Sequence, residues 1–228
     1  MVSWFITGTD TDVGKTVASI ALLQALSASG YVTAAYKPVA SGSDWQPEGW
    51  RNSDALLLQQ ACNQSLSYDE INPYTFAEPT SPHIASLEQQ QRIDPNRLNQ
   101  GLHQLQAKAE RIIVEGAGGW LTPLSDEFTF ADWVSCQQLP VILVVGMKLG
   151  CINHALLTQA AIKQAGLPLV GWIANHPLSQ QHRNQEYLAY LTQHLHAPLL
   201  GEIPYLDQQT PLAALGGYVR LPDEAMTV

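Results

Sequence analysis

Two lysines, two acids and one threonine stand at positions from which they could move a phosphoryl group. Lys15 and Thr16 close the run Gly8-Thr9-Asp10-Thr11-Asp12-Val13-Gly14-Lys15-Thr16. A loop bounded by glycines and closing on Gly-Lys-Thr can wrap phosphates with backbone N–H groups. Its lysine reaches the terminal phosphates, and its threonine hydroxyl can ligate Mg²⁺. Five residues, rather than four, separate Gly8 from Gly14, which leaves the Gly-Lys-Thr end intact. Lys37 precedes Pro38. Most lysines are solvated surface charges, but one at the carboxyl end of a strand beside a phosphate loop can stabilise a transferring phosphoryl group. Glu115 ends the apolar run Ile112-Ile113-Val114 and is followed by Gly116-Ala117-Gly118-Gly119. The favoured reading is an acid that supports Mg²⁺; the alternative is a carboxylate held by turn amides. Asp54 could cap a helix or face the metal, and the residues alone leave both open. Asn175 can donate and accept at a purine edge, or serve as a turn residue. His83, His154 and His176 have no carboxylate paired with them in sequence and read as structural or surface residues.

The elements that must position these groups alternate. A strand enters the loop at Ser3 to Thr7, and a helix runs from Val17 to Ala28 with Gly30 past its end. Val32 to Tyr36 is a second strand. Residues 44–53 read as an exposed loop, Ser53 to Ala61 as a helix, and the proline-containing residues 71–82 as irregular. Helices follow at His83–Gln90 and Pro95–Ala109. Ile112–Glu115 and Val141–Val145 are buried strands. Asn153–Ala165 is a helix with Gly166 past its end, Leu169–Ala174 a strand, Gln185–His194 a helix and Leu199–Ile203 a strand. Residues 217–228 carry no clear pattern. Short strands apolar on both faces, alternating with helices, predict a single α/β domain, a mostly parallel sheet flanked by helices of the P-loop NTPase kind. The expected unit is one ATP-binding domain over 1–228. Ligands in such a sheet lie beyond the carboxyl ends of the strands. That edge gathers the phosphate loop, Lys37, Ser41, Asp54, Glu115, the segment 148–154, Asn175, His176 and Pro204-Tyr205-Leu206. Gly150-Cys151-Ile152-Asn153-His154 leads into a helix, so its N–H groups suit a carboxylate.

Composition narrows the partners. The chain has 228 residues, 46% hydrophobic and 14% charged, with a formal net charge of −9. That is a packed globule rather than a disordered chain, and its charge argues against nucleic acid or an anionic membrane as main partner. Cys62, Cys136 and Cys151 lack metal-ligand spacing, which predicts a reducing compartment and no zinc. The N-terminus runs straight into the first strand without a signal-peptide pattern, and no run approaches a membrane span. The expected location is cytoplasmic.

Four segments resemble the dethiobiotin synthetase family: Gly8 to Thr16, Tyr36-Lys37-Pro38-Val39-Ala40-Ser41-Gly42, Val114 to Gly119, and Lys148-Leu149-Gly150-Cys151-Ile152-Asn153-His154-Ala155-Leu156-Leu157-Thr158. The long Gly8–Gly14 spacing is itself that family's loop variant. The likeness runs from Thr7 to about Leu206. It implies ATP-dependent closure of a cyclic urea on 7,8-diaminononanoate with CO₂, through a carbamate and a carbamic-phosphoric anhydride. It implies Mg²⁺ held by Thr16, Asp54 and Glu115, with Lys15 and Lys37 as catalytic cations. Thr11, Lys37, Ser41, Gly150, Cys151 and Asn153 would contact the substrate. Asp12, Val13, Gly14, Lys15, Thr16, Val17, Asp54, Glu115, Gly116, Ala117, Gly118, Asn175, His176, Pro204, Tyr205 and Leu206 would contact the nucleotide. The family also implies a homodimer in which the 150–154 segment reaches the neighbouring site. Two positions depart from the family: Asp12 stands where Glu or Gly is expected, and Pro211 where a carboxylate near the nucleotide can stand. The second departure implies looser nucleotide selectivity.

Two other readings compete. A nucleotide-switched ATPase of the partitioning and cell-division class would carry a second lysine near the start of the loop, and Gly8-Thr9-Asp10-Thr11 has none. An amidotransferase-type synthetase would need a glutamine-hydrolysing domain, for which the chain is too short.

Overall fold

Six parallel strands carry the site in the computed structural model, which describes residues 1–179, 182–207 and 212–223. In chain order the elements are β1 (Val2–Gly8), α1 (Lys15–Ala28), β2 (Thr33–Tyr36), β3 (Val39–Ala40), β4 (Asp44–Gln46), β5 (Gly49–Arg51), α2 (Ser53–Ala61), α3 (Tyr68–Ile71) and β6 (Tyr74–Thr75). There follow α4 (Pro82–Glu88), α5 (Pro95–Gln106), β7 (Arg111–Gly119), α6 (Phe130–Gln137), β8 (Val141–Gly146), α7 (Cys151–Gln164), β9 (Leu169–Asn175), α8 (Asn184–His194), β10 (Leu199–Ile203) and a 3₁₀ segment, Leu212–Tyr218. The sheet order is β10-β9-β8-β1-β7-β2. Strand order reverses on the two sides of β1, which opens the crevice at its carboxyl end where a doubly wound sheet binds ligands.

The strands lack polar/apolar alternation because helices cover both faces. Trp4, Ile6, Ile113, Ile142 and Val144 pack on one face with Ala18, Leu22 and Leu26 of α1. Phe5, Ile112, Val114, Phe130, Trp133 and Leu102 fill the other. Helix α1 is buried nearly all round, between the sheet and the 3₁₀ segment, which Gln24 ties down through Leu212 O and Gly216 N. The helix bearing Lys15, Thr16 and Ser19 is therefore a rigid mount. It ends as the sequence predicts, with Gly30 at φ 89°, and Gly166 past α7 takes φ 73°.

Two stretches differ from expectation, and a third, residues 129–137, carried none. Residues 44–53 contain an antiparallel hairpin, Asp44 opposite Arg51 and Trp45 opposite Trp50, with the two indoles edge to face at 5.3 Å. Residues 71–82 are not wholly irregular: Tyr74-Thr75 pairs in parallel with Val39-Ala40, and Pro82 opens α4. The segment 129–137 forms α6 behind a Thr129–Asp132 capping box. Of the unassigned C-terminal stretch, residues 217–223 are described; Pro211 and residues 224–228 lie outside the described residues.

Candidate functional site

Lys37 is placed by its own backbone. Its N–H donates to Ile71 O at 2.8 Å and its carbonyl accepts from Asn72 Nδ2 at 2.7 Å. The following Pro38 keeps the chain extended. The side chain is thereby sent under the phosphate loop, where Nζ donates to Glu115 Oε1 at 2.7 Å and to Asp54 Oδ2 at 3.1 Å. Burial alone would push this lysine down, but the carboxylates of Glu115 and Asp54 override it and raise its pKa to about 12. Lys37 is a fixed cation over any working pH.

Glu115 is fully buried and its carboxylate is the hub. Thr16 Oγ1 donates to Oε1 at 2.9 Å, and Ser19 Oγ donates to Oε2 at 2.7 Å. Those side-chain partners replace the alternative in which turn amides hold the acid. Asp54 is likewise not the helix cap. Asn52 takes that position, its side chain accepting from Ala55 N, while its Nδ2 donates to Ser41 O at 3.4 Å and Gly42 O at 3.1 Å. Asp54, in the first turn of α2, is free to face Lys37. Asn52 thus ties Ser41 and Asp54 to one mount, a link not read from the sequence.

The loop itself is strained and pinned. Asp12, at φ 56°, and Gly14, at φ 89°, both take left-handed backbone. The Asp12 value is one that a glycine would adopt without strain. Val13 is buried, and its carbonyl accepts from Asn175 Nδ2 at 2.9 Å. Asn175 therefore braces the loop as well as standing at the sheet edge. Lys15 is buried, with Nζ donating to Asp10 O at 3.2 Å. Its pKa is lowered, first by burial, with Glu115 opposing and Lys37 adding to the effect. Val17 is half-buried at the start of α1, while Thr11 is exposed at the loop's tip.

The neighbouring strand ends complete the rim. Gly116, Ala117 and Gly118 continue β7 beyond Glu115; a Cβ on Gly116 would lie 2.7 Å from Phe5 Cζ. Lys148, after β8, donates to Asp10 Oδ2 at 3.2 Å, so the segment 148–154 is joined to the phosphate loop. Gly150 starts α7 with no side-chain cap, and Asn153 and His154 are exposed in its first turn. Cys151 is turned inward, 2% exposed, with its N–H given to Lys148 O. Gly150 and Asn153 remain the outward members of that segment. His176 is paired rather than isolated: its Nε2 lies 2.7 Å from Glu202 Oε1. It lines a cleft of about 390 Å³ with Asn184, Glu202, Pro204, Tyr205 and Tyr218. Leu206 packs back against the core below α1. Away from this rim, His83 bonds Ser81 Oγ at 2.9 Å.

Sequence reasoning passed over Ser19, Asn52, Asn184 and Glu202. Ser19 alone carried a signal: at three residues beyond Thr16 it shares a helix face with it, and it is a hydroxyl among apolar neighbours.

A family model described as an AAA domain matches residues 3–213. The ATP-dependent dethiobiotin synthetase BioD 1 of Escherichia coli (strain K12) is 59% identical over 218 residues, covering 96% of this chain and 97% of that protein. The protein of the same name from Salmonella typhi is 60% identical over 218 residues, covering 96% of each. Among solved structures, the MinD cell division protein of Aquifex aeolicus is similar at TM-score 0.56 and 14% identity, covering 95% of this chain and 87% of that one. A ParA family ATPase from Chlorobium tepidum TLS is similar at TM-score 0.58 and 15% identity, covering 96% and 90%. These last two likenesses show a shared fold.

Proposed function

The chain belongs to the dethiobiotin synthetase family, and on that premise we propose how its residues close a cyclic urea with ATP. The enzyme is an ATP-dependent ligase acting at the ring-closing step of biotin synthesis. The observation that carries the residue-level reading is the meeting of Thr16, Ser19 and Lys37 on Glu115, with Asp54 on the same ammonium.

The chemistry is phosphoryl transfer to a carboxylate-like oxygen, so positioning and charge neutralisation are most of the catalysis. One amine of 7,8-diaminononanoate takes up CO₂ as a carbamate, losing a proton. A carbamate oxygen attacks the γ-phosphorus of ATP and ADP leaves, giving the carbamic-phosphoric anhydride. The second amine attacks the carbonyl and gives up a proton, phosphate leaves carrying the bridging oxygen and can take that proton, and the ring closes. Lys15, reaching from the loop, and Lys37, from the far side of Glu115, neutralise the transferring group. Thr11 and Ser41 orient the diamine and carbamate beside Lys37. The nucleotide lies along Asp12 to Val17 and Glu115 to Gly118, with its base toward Asn175, His176 and Pro204 to Leu206. The single ATP-binding unit spans 1–228.

Mg²⁺ suits this donor set. Every candidate donor is an oxygen: the Asp54 and Glu115 carboxylates and the Thr16 hydroxyl. The Asp54 and Glu115 carboxylates carry two negative charges against the single positive charge of the Lys37 ammonium between them. Among the described residues no three His, Cys, Asp or Glu gather as a ligand cage. That fits an ion which takes few protein oxygens and keeps phosphates and waters as its other ligands. When bound, Mg²⁺ supplies charge neutralisation at the β- and γ-phosphates.

The substrate's own carboxylate needs a local anion site on an acidic protein. The uncapped start of α7 offers one. Leu149 is 86% exposed just before α7 and Leu157 62% exposed within it, which supports a homodimer that brings the segment to its neighbour's site. A Leu157→Asp variant is then expected to sediment as a monomer and to show a diamine KM raised about tenfold or more. A fully active monomer would rule out the shared site. Three free cysteines support a reducing, cytoplasmic setting. The function itself is tested by phosphate release: ATP with diamine and bicarbonate should release phosphate far faster than ATP alone. Equal release would leave only a nucleotide hydrolase.

A further inference from the structure

The cleft beyond β10 is richer in polar groups than a flat ring needs for stacking. Pro204, Tyr205 and Tyr218 offer apolar walls, while His176, Asn184 and Glu202 line it with hydrogen-bonding groups. These three form a chain. Asn184 Nδ2 lies 3.0 Å from His176 Nδ1, and His176 Nε2 lies 2.7 Å from Glu202 Oε1. With the amide donating to Nδ1, the ring proton sits on Nε2 and is donated to Glu202. Asn184 Oδ1 is then buried without a partner. Exchanging the two ends of the amide leaves Nδ2 in that place instead, so one buried amide atom of Asn184 is unsatisfied either way. That atom is closed off within the protein, and the member of the chain that opens to the cleft is Glu202. Glu202, with its side chain 47% exposed, has one oxygen fixed by His176. A carboxylate offers further lone pairs on its second oxygen.

We propose that Glu202 selects the nucleobase. Its carboxylate, oriented by His176 and Asn184, accepts a hydrogen bond from the exocyclic amine of adenine. Glu202 is the specificity determinant, and His176 and Asn184 are positioning residues. This rests on the nucleotide reading of the phosphate loop and adds to it the edge of the base that is read. A site built to bond one polar group rejects the analogue lacking that group, because the protein's own group is left unpaired.

The experiment compares kcat/KM for ATP and for purine riboside triphosphate, identical except for hydrogen in place of the amine. Diamine and bicarbonate are held saturating. The wild-type enzyme is expected to prefer ATP by about tenfold or more, the value of a hydrogen bond to a charged acceptor. Glu202→Ala is expected to bring the ratio to within about twofold, and Asn184→Ala to lower it part of the way. The ratio is internal to each enzyme, so a general loss of activity cancels, and thermal melting checks the fold of each variant. A wild type that does not distinguish the two, or a Glu202→Ala variant that keeps the wild-type ratio, overturns the proposal. Failure of the nucleotide reading looks different: neither triphosphate would then support turnover by the wild type.

Discussion

Replacing Lys37 by Gln is expected to cut kcat by about a hundredfold or more, the usual loss when one preorganised charge is removed from a transferring group. Lys37 is the buried cation that touches both Glu115 and Asp54, at 2.7 Å and 3.1 Å. Its pKa, raised to about 12, keeps it charged throughout the assay range. Gln keeps a hydrogen-bond donor near that position and removes the charge. The same change leaves the buried Glu115 without its counter-ion, and breaking such a pair costs about 3–5 kcal/mol where nothing else compensates. Thr16 and Ser19 still donate to Glu115, so the stability loss should fall below that range. Stability and catalysis separate in the double variant Lys37→Gln/Glu115→Gln. Tm should recover there, because both buried charges are gone, while kcat should not. Near-normal turnover in Lys37→Gln, or recovery of kcat in the double variant, would reduce Lys37 to a structural role.

Gly14→Ala should nearly abolish ATP binding while the sheet stays folded. The added Cβ would lie 2.1 Å from Asn175 Nδ2 and 2.7 Å from its Cγ, at a backbone φ of 89°. The left-handed conformation costs an alanine about 1–2 kcal/mol by itself. The clash adds to that by pushing Asn175 off Val13 O, the bond that braces the loop. Calorimetric titration with MgATP should show Kd raised at least about fivefold, taking the lower bound from the strain alone. Wild-type affinity in Gly14→Ala would mean that the phosphates do not depend on this loop conformation.

The sequence displayed the sheet and the phosphate loop well, because both are written in local chemistry. Strands buried on two faces give continuous apolar runs, and glycines past α1 and α7 mark their ends. Lys37 was visible for the same reason: its place at a strand end follows from Tyr36 and Pro38. Asp54 was not decidable, since Asn52, Ser53 and Asp54 are all good caps. The choice falls to Asn52 because that residue also binds the carbonyls of Ser41 and Gly42, eleven and ten residues away. The hairpin at 44–51 has three-residue strands, too short to show a period of two. His176 looked solitary because its partners, Asn184 and Glu202, come from two other elements. Long-range pairing of this kind leaves no local trace.

The central claim is that ATP phosphorylates a carbamate made from CO₂ and the diamine. Heavy-oxygen-labelled CO₂, supplied in a rapid assay before it exchanges with water, tests this most directly. Mass spectrometry of the released phosphate should find a single labelled oxygen for each urea ring formed, carried over from the anhydride's bridging position, with the ring carbonyl also labelled. Unlabelled phosphate released at the full rate would mean that water attacks ATP, and it would contradict the account.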